Sequence, residues 1–197
     1  MNIILATKNN GKVTEMADIL APYGITVISQ KDADIDVDVE ETGLTFEENA
    51  EIKARAVSML CDDPVLADDS GLCIDALGGK PGILSARYGG EKLPYSEKIR
   101  GILTELEGVE NRSAHFECAM VLIFPDGKKI SATGIVNGEI LTKPMGTGGF
   151  GYDSIFYSTE LKKSFGEATE DEKNAVSHRG KALKELCEKI VKIKEQQ

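Results

Sequence analysis

Short apolar runs alternate along the chain with segments whose apolar residues recur at helical spacing, which is the pattern of an α/β protein. Met1 to Thr7 reads as a buried strand. Val13, Met16, Ala17 and Leu20 then share one face of a helix that Pro22 and Gly24 end. A strand is expected at Ile25 to Ser29. From Asp32 to Glu41, Ile35, Val37 and Val39 alternate with acidic neighbours, the period of a half-exposed edge strand. Thr45-Phe46-Glu47-Glu48 is a capping box, and it opens a helix that turns Ile52, Ala56, Met59 and Leu60 to the core.

Pro64 to Ala67 is a short apolar strand that runs into Asp68-Asp69-Ser70-Gly71, and Gly78 to Gly82 reads as a loop. The pattern predicts a helix over Leu93 to Leu106. It then predicts an antiparallel meander: His115 to Phe124, a turn at Pro125-Asp126-Gly127, Lys129 to Gly134, and Ile135 to Leu141. Ser154 to Tyr157 is strand-like, and the last helix carries Leu183, Leu186, Cys187, Ile190 and Val191 on one side. The 197 residues hold no repeat, linker or low-complexity segment, so a single domain over residues 1–197 is expected.

Charge narrows the function. Lys and Arg number 23 against 33 Asp and Glu, a net charge of −10, which argues against non-specific binding to nucleic acid or to an anionic membrane. Charges more than about 8 Å apart are screened at physiological salt, so a small anion responds to the few cations beside it. The apolar runs fall far short of the roughly 20 residues that span a bilayer, and polar Thr7 to Asn10 arrives too soon for a secretory signal. A cytoplasmic location is expected. Cys61, Cys73, Cys118 and Cys187 form no C-x-x-C pair and are expected to be reduced core residues.

Four polar clusters could carry chemistry. Thr7-Lys8-Asn9-Asn10-Gly11-Lys12 joins a strand to a helix N-terminus, where free N–H groups and the dipole favour an anion. It lacks the spacing and the Ser or Thr of a Walker A loop, and an ordinary capped turn would look the same. Asp68-Asp69-Ser70, after a buried strand, together with Glu40 and Glu41, supplies grouped carboxylates of the kind Mg²⁺ prefers beside phosphates.

Gly146, Gly148 and Gly151 fit G-x-G-x-x-G, but a strand-like segment follows rather than a helix, so the dinucleotide reading is rejected. What remains is a flexible loop with Phe150 and Tyr152 available to stack on a flat ring. Lys173 to Arg179 sets Lys, His and Arg at the start of the last helix, against the dipole, as functional sites do. His115, in an alternating strand beside Phe116, is expected to be structural. Phosphate-binding groups, magnesium carboxylates, a stacking aromatic and a His-Arg pair together point to a nucleoside triphosphate.

At these residues the sequence resembles the inosine triphosphate pyrophosphatase family of XTP/dITP diphosphatases. The resemblance runs through Leu5 to Lys12, Glu40 to Ala50, Ala67 to Leu72, Leu77 to Gly82, Ser85 to Tyr88, Gly148 to Asp153 and Ser177 to Arg179. It implies an α/β fold with an elongated mixed β-sheet flanked by helices, two lobes around a nucleotide-binding cleft, and a homodimer. It also implies Mg²⁺-dependent hydrolysis of ITP, dITP and XTP to the monophosphate and pyrophosphate, removing deaminated purines from the nucleotide pool.

Carried onto this chain, the resemblance gives Thr7, Lys8, Asn9, Asn10, Gly11 and Lys12 the triphosphate, with Lys53 and Lys173 adding charge. Asp69 would be catalytic base and metal ligand, Glu41 (or Glu40) the other carboxylate, and Ser70 a substrate contact. Phe150 would stack on the base with Gly151, Tyr152 and Asp153 completing that wall, and His178 and Arg179 would read the 6-oxo group. A pyrophosphatase for another base would share the phosphate and metal set, and a non-catalytic nucleotide sensor would share all but the need for a base beside magnesium.

Overall fold

The structure is a computed structural model, and it describes residues 1–195. Apolar runs form strands and helically spaced segments form helices. Their order is β1 (Asn2–Leu5), α1 (Asn10–Leu20), β2 (Thr26–Ser29), α2 (Phe46–Ser58), β3 (Val65–Ile74), β4 (Lys80–Pro81) and α3 (Tyr95–Glu105). There follow β5 (Ser113–Ile123), β6 (Lys129–Ile140), β7 (Phe156–Ser158), β8 (Lys163–Ser164), α4 (Glu170–Val176) and α5 (His178–Glu195). The strands make one eight-stranded sheet in the order β2-β1-β3-β5-β6-β7-β8, with β4 beside β3. It is mixed: β1 is parallel to β2 and β3, and β7 is antiparallel to β6 and β8. The expected mixed α/β fold is met.

The chain divides into two compact units. Unit 1 comprises Met1–Asp69, Cys118–Gly134 and the chain from Arg179 onward; unit 2 comprises Ser70–Glu117 and Ile135–His178. Unit 1 is a three-layer sandwich, because successive strand residues point to opposite faces and both faces are apolar. Ile3, Leu5, Leu66, Met120 and Leu122 pack with Met16 and Leu20 of α1 and Leu183, Leu186 and Ile190 of α5. Their neighbours Ile4, Ala6, Val65, Ala67, Val121 and Ile123 pack on the other face with Ala50, Ala54 and Val57 of α2.

Unit 2 has one core. Leu72, Ile74, Ala114, Phe116, Val136 and Ile140 of the sheet meet Ile99 and Ile102 of α3, with Phe156 and Phe165 packed at the centre. Phe116 and Phe156 touch with ring centroids 4.7 Å apart. The Arg112 guanidinium donates to the carbonyls of Leu106, Ile140 and Leu141, tying the end of α3 to the end of β6.

Four expectations from the sequence need correction. The acidic run forms no strand: β2 ends at Ser29, Asp34 takes a left-handed φ of 56°, and the Gln30 side chain, not a neighbouring strand, binds the Val37 carbonyl at 2.7 Å. The alternation survives as burial alone, with Ile35 buried between exposed Asp34 and Asp36. Lys129 to Ile140 is one strand rather than two, because neither Gly134 nor Gly138 takes the left-handed φ that a turn would use. Helix α2 buries Phe46, Ala50, Ala54 and Val57, whereas Met59 and Leu60 are 79% and 57% exposed. Finally, β3 does not stop at Ala67 but continues through the acidic pair to Ile74.

Candidate active site

The continuation of β3 places Asp68 and Asp69 in the interior of a covered strand, not at its end, and sends their side chains to opposite faces. On the face of α1 and α5, Asp68 Oδ2 lies 2.8 Å from Lys12 Nζ and 3.6 Å from Arg179 Nε. Burial alone would raise the Asp68 carboxyl, but Lys12, Arg179 and Lys53 outweigh it and hold the group well below the usual carboxylate range. Arg179 is itself buried, and its guanidinium also pairs with Glu15 of α1.

Asp69 meets α2. Asn49 and Lys53 stand one helical turn apart there. Asn49 Nδ2 donates to Asp69 Oδ2 at 3.1 Å, while Lys53 Nζ lies 3.5 Å from Asp69 Oδ1 and 2.6 Å from Glu41 Oε1. The same Asn49 accepts from the Gly43 amide at 2.8 Å, fixing the loop that carries Glu41. A side chain at Gly43 would place its Cβ 2.7 Å from Asn49 Oδ1, so the residue must be glycine. The α2 cap differs from the expected box by one residue: Thr45 accepts from the Glu48 amide, but Glu48 accepts from Leu44.

Burial pushes the Asp69 carboxyl up, Lys53 opposes that, and Glu41 reinforces it. Two adjacent aspartates thus acquire opposite tendencies, and the one that binds a proton more readily is the one suited to general base work. Asp69 and Glu41 arrive from separate segments and converge on one ammonium. Their oxygens are the hard donors that a divalent cation such as Mg²⁺ takes, so the donor set fits such an ion. Glu40 is exposed and belongs to no such group, which separates it from Glu41.

The loop before α1 is capped more fully than the sequence suggests. Asn9 Oδ1 accepts from the amides of Gly11 at 2.9 Å and Lys12 at 3.3 Å, and Thr7 Oγ1 accepts from Asn9 N. With Lys12 turned to Asp68, the loop's solvent-facing ammonium is that of Lys8, 3.3 Å from Asp36. Thr7, Lys8 and Asn10 form one side of a pocket of about 330 Å³ whose other side is Ser29 to Lys31 and Asp34 to Asp36.

In unit 2 the Gly-rich loop presents Phe150, 42% exposed, on a buried ionic support. Lys173 Nζ lies 4.5 Å from the Phe150 ring centroid and 2.6 Å from Asp153 Oδ2, and the Phe150 amide donates to the same carboxylate at 2.8 Å. Gly149 (φ 71°) allows this: a Cβ there would lie 2.2 Å from Asp153 Oδ2. Gly151, also left-handed, lets the chain turn between Phe150 and Tyr152. Lys173 and Asp153 are therefore brought together under the aromatic ring.

Tyr152 is not open for stacking, contrary to the expectation. Its ring packs edge-on against Tyr95 and its hydroxyl donates to the Ser85 carbonyl at 2.9 Å. The basic cluster also spans two helices rather than opening one. Thr169 caps α4 with a reciprocal box, Lys173 sits in its last turn where the dipole favours a cation, and α5 starts at His178. The His178 ring is buried and stacked on Phe116, centroids 4.8 Å apart. Ser70, half-buried, follows Asp69 in β3.

Sequence reasoning missed Asn49 and Glu15 as partners. Asn49 left a signal, a polar residue four before Lys53 on a helix whose other turns hold alanine, whereas Glu15 looked like any exposed acid of an amphipathic helix.

A family model described as the Ham1 family matches residues 3–189. The chain is 50% identical over 185 residues to a protein of Halalkalibacterium halodurans named dITP/XTP pyrophosphatase, covering 93% of this chain and 95% of that one. It is 48% identical over 192 residues to one of the same name from Bacillus anthracis, covering 95% of each. The solved structure of the Staphylococcus aureus Ham1 protein superposes with a TM-score of 0.87 at 38% identity, over 96% of this chain and 98% of that one. A HAM1 protein from Coxiella burnetii gives 0.88 at 40%, over 98% and 99%.

Proposed function

The chain belongs to the Ham1 family, and from that premise we propose that it hydrolyses dITP, XTP and ITP to the nucleoside monophosphate and pyrophosphate. The observation that carries the chemistry is the Asp69–Lys53–Glu41 group, in which two carboxylates share one cation and Asn49 donates to Asp69. Asp69 accepts the proton of the attacking water. The water oxygen bonds the α-phosphorus, and the bond from that phosphorus to the bridging oxygen breaks, so pyrophosphate leaves with the electron pair.

Asp69 and Glu41 are the proposed ligands of Mg²⁺, which when bound supplies charge neutralisation to the phosphates. Thr7, Lys8, Asn9, Asn10, Gly11 and Lys12 of unit 1 are assigned to the triphosphate, with Lys53 adding charge and Ser70 as a further contact. Phe150 is assigned to the base, with Gly151, Tyr152, Asp153 and Lys173 shaping and supporting its loop. His178 and Arg179 are assigned to the 6-oxo group, Glu15 fixing the orientation of Arg179. Donors aimed at a carbonyl oxygen meet no acceptor in adenine, and such a site can discriminate by roughly 10⁴.

The protein is proposed to act in the cytoplasm as a homodimer, which light scattering of the purified chain checks. Among the described residues no helix is long and apolar enough to cross a membrane.

The test is pyrophosphate release from ITP, XTP, dITP, GTP, ATP and dUTP, each with Mg²⁺ and with a chelator. Magnesium-dependent release confined to ITP, XTP and dITP is the expected result. Release chiefly from dUTP or ATP would move the base assignment, and binding of ITP without release would replace the enzyme by a sensor.

A further inference from the structure

The sheet of unit 2 has a covered face and an open one. Ala114 and Phe116 of β5 and Leu72 and Ile74 of β3 point into the core beneath α3. The alternate residues point the other way, where His115 and Glu117 are half-buried and Ile135 of β6 is 42% exposed. Cys73 lies between Leu72 and Ile74, paired with Pro81 of β4, and is 8% exposed.

On this face the Cys73 sulfur, an imidazole nitrogen of His115 and a carboxylate oxygen of Glu117 all lie within 4.8 Å of one another. His115 Nε2 lies 3.9 Å from Glu117 Oε2, an ion-pair distance too long for a hydrogen bond. We propose that Cys73, His115 and Glu117 bind a divalent transition-metal cation of the zinc type, with water completing its shell.

The donors are the three that zinc takes, at about 2.0–2.3 Å, whereas Mg²⁺ takes oxygen alone. A tetrahedral ion of that size holds its ligands roughly 3.3–3.7 Å apart, so closing the site needs a contraction of about 1 Å. Half-exposed His115 and Glu117 can supply it by rotamer change, while β3 and β4 hold Cys73 in place. Two ligands alternate along one strand and the third lies on its sheet neighbour, so the backbone fixes their spacing. On binding, the Cys73 thiol gives its proton to solvent and its sulfur bonds the cation. The site differs in donor chemistry from the Asp69–Glu41 pair, which contains oxygen only.

The test is titration of the full chain, freed of metal, with Zn²⁺ against a chromogenic chelator, and with Co²⁺ to read thiolate-to-cobalt charge-transfer absorption. One equivalent of Zn²⁺ and the cobalt band are expected, both retained in Asp69→Asn. Cys73→Ser abolishes the band, and His115→Ala and Glu117→Gln each weaken Zn²⁺ binding by about tenfold or more. None of the three changes Mg²⁺-dependent pyrophosphate release. Should Cys73→Ser not fold, the other two variants decide. Absence of the cobalt band, or Zn²⁺ affinity unchanged in His115→Ala and Glu117→Gln, would overturn the proposal.

Discussion

Unit 1 covers its sheet on both faces and unit 2 on one, and the difference governs what polar residues do in each. In unit 1 a charge on the sheet must find a partner on the helix above it, since an unpaired buried charge costs several kcal/mol. Asp68 finds Lys12 and Arg179, and Asp69 finds Lys53 and Asn49. Neighbours in sequence thereby enter two environments. In unit 2 His115 and Glu117 of the open face can be met by water, and they gather beside buried Cys73 with no hydrogen bond between them. Its buried polar pair joins Lys173 of α4 to Asp153 of the Gly-rich segment and supports an exposed ring.

The contrast within unit 1 breaks most sharply at Asp69. Asp69→Asn is expected to lower pyrophosphate release from ITP by at least about 10³-fold while leaving ITP binding in place. Its stability should equal or exceed that of the native chain at neutral pH. The folded state holds a proton on Asp69 above the usual 3.8, so ionisation of this group costs stability as pH rises, and the amide removes that cost. Turnover close to native in this variant would remove Asp69 from the reaction.

Asp68→Ala has the converse profile. It leaves half-buried Lys12 and buried Arg179 without their shared carboxylate and is expected to cost about 3–5 kcal/mol, read by urea unfolding. If both aspartate variants destabilised equally, the division of labour between the two faces would fail.

In unit 2, Phe150→Ala should raise KM for ITP through loss of about 1–3 kcal/mol of stacking, with the melting temperature nearly unchanged because the ring is exposed. A large loss of stability would make Phe150 a core residue instead.

Acid sharpens the comparison further. The Asp68 carboxyl is held below its usual 3.8, so the unfolded state binds more protons as pH falls past that value. The stability it contributes is present above 3.8 and is lost as pH falls, and Asp68→Asn should show a shallower acid slope than the native chain in thermal melts.

The smallest effect is expected at Met59→Gln, within about 0.5 kcal/mol, because this residue is exposed despite its place in an apparent apolar stripe. A loss of more than about 1 kcal/mol would restore the stripe that the sequence suggested.

That stripe shows where the sequence stops being legible. The apolar positions from Phe46 to Leu60 allow two helical faces, but α2 ends at Ser58, so its alanines pack against the sheet and Met59 and Leu60 fall past the helix end. The acidic run has the period of a strand but no partner, and a strand exists only through its ladder. The Gly134 junction resembles a turn, yet the strand continues because its backbone stays extended.

By itself the sequence determined the alternation of strands and helices, the apolar runs, and the residue types at each chemical cluster. These follow from local backbone geometry, which a short window of residues expresses. Only the tertiary structure decided that Asp68 meets Lys12 while Asp69 meets Lys53, that Glu41 rather than Glu40 joins them, and that Cys73 comes beside His115. Each depends on which distant segment covers which face. A period of two says that neighbours point apart, but packing alone says what each of them meets.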